Sequence, residues 1–220
     1  MRMKNRRRLL SFLPFLLLAM GMYGCATGNV LSLPDGPSRP AAKAVAKAEG
    51  VPKVAVIDFS WTETPTSEIG RDYDNVRSIV WKGNPGKAVA DLIAGVLAEK
   101  GIPSVRAAKE ADVHDGFSTK IWGNVKEFRV NARRTGLVLV EIEAVTALKV
   151  QGSGPGASAG WATDLTSSYR YPEPLFFLSG DVLHAVNRAA NDAAEEAVRQ
   201  LMEAGVIAAP AEVKGAEPIK

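Results

Sequence analysis

The chain has 220 residues, 27 Lys+Arg against 24 Asp+Glu for a formal net charge of +3, and a single cysteine. A lone cysteine excludes an intramolecular disulfide, a Cys-Cys metal pair and a CxxC redox centre. The length suits one domain with loose ends.

The first 24 residues read as an export signal. Arg2, Lys4, Arg6, Arg7 and Arg8 form a positive head without an acid. An apolar run from Leu9 to Met20 follows, interrupted by Pro14, and small to medium residues lead to Gly24. Positive head, apolar core of secretory length and a small residue at the cleavage point are the parts of a signal peptide. The run falls short of the ~20 residues that a membrane span needs. Gly24 directly before Cys25 resembles the lipobox of bacterial lipoproteins. That resemblance implies cleavage after Gly24, a thioether-linked diacylglycerol on Cys25 and acylation of its new amine. Ala26, where an aspartate would resemble an inner-membrane retention signal, points to the outer membrane.

Cleavage changes the charge balance. Five basic residues and no acids lie before Cys25, so 196 residues remain with 22 basic against 24 acidic side chains, a net −2. The basic excess belongs to the signal, and no clustered basic face suggests a nucleic-acid partner.

Residues 25–50 are rich in Gly, Pro, Ser, Ala and Lys and read as a lipidated tether. The folded domain is expected over 51–205, with a frayed tail over 206–220. Within the domain, Lys53 to Phe59 is an apolar, β-branched run suited to a buried central strand. Residues 60–83 show no apolar period and read as a long loop. Asn84 can cap a helix whose first turn carries Pro85. Val89, Leu92, Ile93, Val96 and Leu97 then share one helical face. Burying these five contributes roughly 7–15 kcal/mol as an upper bound. Gly101 ends the helix, and "IPSV" predicts a short strand.

Two longer strands follow, about Thr119 to Val130 and Leu137 to Val150, joined by a hairpin loop over Asn131 to Gly136. Val138, Val140, Ile142, Ala144, Leu148 and Val150 share one face, with Thr146 the polar exception. Glu141 and Glu143 lie on the other, wetter face. A Gly-rich hairpin loop, Gly152 to Gly160, leads to a third strand around Trp161, Leu165 and Tyr169. The last element is a helix from about Gly180 to Ala204, capped by Ser179 or Asp181. Its face carries Val182, Val186, Ala189, Ala190, Ala193, Ala197, Leu201 and either Val198 or Met202. The expected fold class is α+β: a mixed β-sheet in β-α-β-β-β-β-α order, with two helices packed on one face.

Motifs for chemistry fail one by one. "GNPGKA" (Gly83 to Ala88) lacks the Gly and the Ser or Thr that a P-loop needs, and reads as a capped helix start. "GSGPGASAG" does not open a helix, as a dinucleotide fingerprint must. His114, beside Asp112 and Asp115, has no evident third and fourth metal ligand. His184 falls in the first turn of the last helix. No GxSxG elbow, HExxH pair or cysteine nucleophile occurs. The expectation is a non-enzymatic protein without metal or cofactor. The remaining candidate surface is the 60–83 stretch, which carries Trp61, Arg71, Tyr73, Arg77 and Trp81. Long loops are often functional, and Trp, Tyr and Arg dominate binding hot spots. A second reading tucks the tryptophans against the sheet and pairs the charges locally.

Several of these features together resemble the YajG-like family of small bacterial lipoproteins: the Cys25 signal, the "VAVIDF" strand, "IGR" at Ile69 to Arg71, the "VADLIAGVLAEKGI" helix, and a meander before a terminal helix at "AANDAAEEAVRQLMEAG". The likeness spans roughly residues 50–205. It implies an envelope location and this fold rather than a particular activity. The expected function is a lipid-anchored, periplasm-facing outer-membrane lipoprotein that binds a partner protein of the envelope. The alternative is an accessory lipoprotein of an envelope transporter that contacts lipid or a small ligand.

Overall fold

The computed structural model describes residues 30–33, 36–39, 54–61, 68–74, 76–113, 116–137, 139–174 and 179–208. Gly24, Cys25, His114, Asp115, Val138 and the tail beyond 208 lie outside the described residues.

The chain folds as α+β, a curled mixed sheet with two helices on one face. Its strands are β1 (Val30–Leu33), β2 (Val54–Ile57), β3 (Ser60–Trp61), β4 (Glu68–Arg71), β5 (Ser78–Trp81), β6 (Ser104–Ala107), β7 (Thr119–Arg134), β8 (Leu139–Gly154) and β9 (Ala157–Pro174). Helix α1 (Pro85–Glu99) lies between β5 and β6, and α2 (Ser179–Glu203) follows β9.

The long strand β7 organises the sheet. Along one side it pairs antiparallel with β8, which pairs antiparallel with β9. Along its other side β2, β3 and β4 dock parallel, end to end, at Thr119–Ile121, Asn124–Val125 and Val130–Asn131. β6 flanks β2, while β5 and then β1 flank β4.

Both predicted helices form, the second starting at Ser179, so that Ser179 and Asp181 lie within it and its cap falls outside the described residues. Asn84 accepts the Lys87 N–H at 3.1 Å, and Pro85 opens the first turn. Val89, Leu92, Ile93, Val96 and Leu97 are all buried. In α2 the buried face is mostly alanine, and Val198 rather than Met202 completes it. Such small side chains let the helix lie close to β8 and to α1. On β8, Val140, Ile142, Ala144, Thr146, Leu148 and Val150 are buried as expected. Glu141 and Glu143 lie on the opposite face, paired with Arg133 and Arg170.

Five expectations need correction. The stretch expected to be a tether contributes β1, whose Leu33 enters the core. Residues 60–83 hold three short strands rather than one loop, because β7 offers a long unfilled edge to which β3 and β4 pair, and β4 in turn pairs with β5. The element order therefore has more strands before the first helix than the one predicted. β7 continues to Arg134, and a two-residue turn at Pro155–Gly156 replaces the longer Gly-rich loop between β8 and β9. The tail does not start at 206, since Val206 and Ile207 are buried, Val206 against the lower ends of β7 and β8.

Candidate functional site

Three of the five candidate residues, Arg71, Tyr73 and Arg77, sit together at the turn end of the β4–β5 hairpin. Its turn is locked by Asp72, which is only 4% exposed. The Asp72 carboxylate accepts the N–H groups of Val76 and Arg77 at 3.0 and 3.2 Å, and the Arg77 Nε–H at 2.8 Å. Burial opposes its ionisation, but the Arg77 guanidinium and the two N–H groups outweigh burial and hold its pKa below the ordinary value. Arg71 pairs with Glu68 at 3.2 Å. Tyr73 lies under the Arg134 guanidinium, 5.5 Å from the ring centroid, and Arg134 also meets Asp74 at 3.3 Å.

Asp72→Ala leaves these donors without their acceptor and is expected to lower stability by about 2–4 kcal/mol. The sign of the pH effect follows from the depressed pKa. The Asp72 contribution is full above the unfolded pKa of about 3.9 and is lost as pH falls through the lower folded value. Urea denaturation from pH 7 to pH 3 checks both points. The acid-side loss of stability should be smaller in Asp72→Ala than in the unaltered chain.

The other two candidates lie elsewhere. Trp81 is 8% exposed, with its ring 5.5 Å from that of Phe128. Gly36 and Gly83 both pack against the ring, which is otherwise set in the core. Trp61 is half-buried on β3 opposite Val125, whereas Arg71 stands opposite Asn131. Six residues along β7 separate the two by about 20 Å. The five candidates thus do not form one patch.

Two other features had no clear signal in the sequence. The first is Arg39, which follows β1 and crosses both helices. It pairs with Glu99 on α1 and with Asn191 and Glu195 on α2, at 3.2 and 3.1 Å for the latter two. The Arg39 hydrogen bond holds the Glu99 carboxyl below its usual pKa. Beside this clip run two open clefts of about 300 and 460 Å³, which share Ser38. The smaller is lined by Arg39, Glu99, His184, Asn191 and Glu195, whose charged groups largely satisfy one another. His184 is exposed and meets the ring of Tyr169 edge-on and that of Tyr171 at a tilt. Among the described residues no group of three or more His, Cys, Asp or Glu is placed to hold a metal ion, and no helix is long and apolar enough to cross a membrane.

The second feature is the outer edge of β9. This strand runs for 18 residues, about 60 Å at the usual rise. Among the described residues it pairs with β8 alone. Its outward backbone N–H and C=O groups therefore meet no other described strand.

With this geometry established, solved structures provide the comparison. The chain shares its fold with a protein from Xanthomonas campestris of the family model DUF330. The likeness has a TM-score of 0.51 at 12% identity and covers 80% of this chain and 96% of the other. At that identity it is a likeness of fold. Weaker resemblances are to the PelC dodecamer from Paraburkholderia phytofirmans (TM-score 0.39, 17% identity, covering 67% and 86%) and to a minor lipoprotein from Acinetobacter baumannii (TM-score 0.36, 9% identity, covering 69% and 92%). At those scores neither carries an argument about this chain. No family model matches the sequence, and no curated protein matches it.

Proposed function

We propose that this protein is a lipid-anchored lipoprotein of the outer membrane, YajG-like, facing the periplasm, and that it acts without catalysis by binding a partner protein of the envelope. The signal peptide ending at Gly24 and the cysteine after it support the anchoring. The open edge of β9 carries the partner-binding part.

Unpaired strand edges recruit other strands, and proteins usually blunt them with charge, proline, bulges or a cover. β9 has Pro172 and Pro174 at one end and exposed Asp164 and Arg170 along it. Asp164 is already paired with Lys126 at 2.8 Å, and Arg170 with Glu143 at 3.0 Å. Between them Leu165 to Tyr169 is uncharged and offers main-chain hydrogen bonds to an extended segment. Strand addition of this kind takes its affinity from the backbone and its specificity from alternate side chains.

The test is a photo-crosslinking residue at Thr166 or Ser168 in intact cells, with Arg188 on α2 as the control position. A protein adduct of one size from both β9 positions and none from Arg188 is expected. Adducts from Trp61 with none from β9 would move the partner surface to β3. Lipid co-purifying without any protein adduct would favour the transporter reading.

A further inference from the structure

The two ends of the sheet differ. At one end lie the start of β1, the β4–β5 turn, the β7–β8 turn and the end of β9, a grouping fixed by strand register: Val30 stands opposite Ser78, Ser78 opposite Arg71, Arg71 opposite Asn131, and Arg134 opposite Val140. Five large hydrophobic side chains are exposed among the described residues: Val30, Val76, Val105, Leu137 and Leu139. All but Val105 belong to this end. Leu137, in the β7–β8 turn, is 93% exposed.

Single exposed apolar residues are ordinary, but a cluster at one end of a domain marks a contact surface. The cations there are matched by acids. Arg71 pairs with Glu68, Arg77 with Asp72, Arg133 with Glu141 and Arg134 with Asp74. Such an end can approach a lipid interface without bringing an uncompensated charge to it. Tyr73 and the long arginine stems suit the headgroup layer.

Chain length supplies the second observation. Only residues 26–29 separate Cys25 from Val30. Fully extended, that connection reaches at most about 17 Å. The opposite end of β7, at Thr119, lies twelve residues below Asn131, or about 40 Å. A lipid on Cys25 can therefore bring the Val30 end to the bilayer and cannot bring the Thr119 end there.

We infer that this end of the sheet is a membrane-contacting face, with Leu137 at its tip and Val30, Val76 and Leu139 around it, seated on the phospholipid surface that holds the anchor. The inference rests on the lipidation of Cys25 proposed above. It adds an orientation: β7, β8 and β9 rise from the membrane surface with the β7–β8 turn against it, and the β9 edge is presented sideways to the periplasm.

The experiment uses the lipidated protein in phospholipid vesicles carrying a membrane-bound quencher. Because Cys25 is the only cysteine and its sulfur is consumed by the lipid, a thiol-reactive fluorophore labels only an introduced cysteine. Labels are placed in Leu137→Cys, Val76→Cys and, at the β6 position, Val105→Cys. The labels at 137 and 76 should lose most of their fluorescence to the quencher, and that at 105 should keep it. Equal fluorescence at all three positions, or quenching at 105 alone, overturns the orientation. Labelling of the unaltered protein would show a free Cys25 thiol, and so failure of the anchoring reading itself.

Discussion

Gly70→Ala should destabilise the domain by about 3 kcal/mol or more, at the upper end for overpacking. A Cβ at Gly70 would stand 1.4 Å from the carbonyl oxygen of Val130 and 2.6 Å from its carbon. Both are backbone atoms of β7, the strand that organises the sheet, so no rotamer change relieves the clash. β4 must instead move away from β7. That movement uncovers Ile69 and pulls on β5 and β1, which reach the sheet only through β4. For a chain of this size the loss corresponds to a Tm lower by about 6–12 °C. Gly180→Ala, in the first turn of α2 with open space around it, is the matched control. It should be neutral or stabilising by up to about 1 kcal/mol. Thermal melts of the two variants decide the point, and equal Tm values would contradict the close β4–β7 approach.

Cys25→Ser should abolish lipid attachment and release the exported domain from the membrane. Each buried methylene contributes about 0.8 kcal/mol, so one acyl chain holds marginally and two or more hold stably. Serine offers no thiol for the thioether. Among the described residues no helix is long and apolar enough to cross a membrane. The four apolar side chains at the Val30 end are too few to hold the domain on their own. Fractionation should find the signal-cleaved Cys25→Ser product in the soluble periplasmic fraction. A cleaved product still in the membrane pellet would mean that something other than lipid on Cys25 holds it.

Some of this architecture was legible in the residues and some was not, for physical reasons. The two helices and the β7–β9 meander have long periodic patterns, and the first helix has its own cap at Asn84 with Pro85 after it. β1, β4 and β5 have only four residues each. β1 and β4 each bury a single large side chain, Leu33 and Ile69. No period can show in so short a run, and their strand character comes from pairing: β4 takes up free length of β7, β5 pairs with β4, and β1 with β5. Trp81 illustrates the same limit. Tryptophan is a residue type suited to a binding hot spot, but here it is largely buried, with Gly36 and Gly83, distant from each other in sequence, packed against the ring. The open edge of β9 is a property of sheet order, which local sequence does not encode. The Arg39 clip likewise depends on the chain crossing two helices whose partner residues lie 60 to 156 positions away.

That the mature protein begins at a lipid-modified Cys25 is tested most directly by mass spectrometry of the N-terminal peptide from membrane-extracted protein. The expected peptide starts at Cys25 and carries a thioether-linked diacylglycerol and an acylated amine. A mature N-terminus at any other residue, or an unmodified Cys25 thiol, would contradict it.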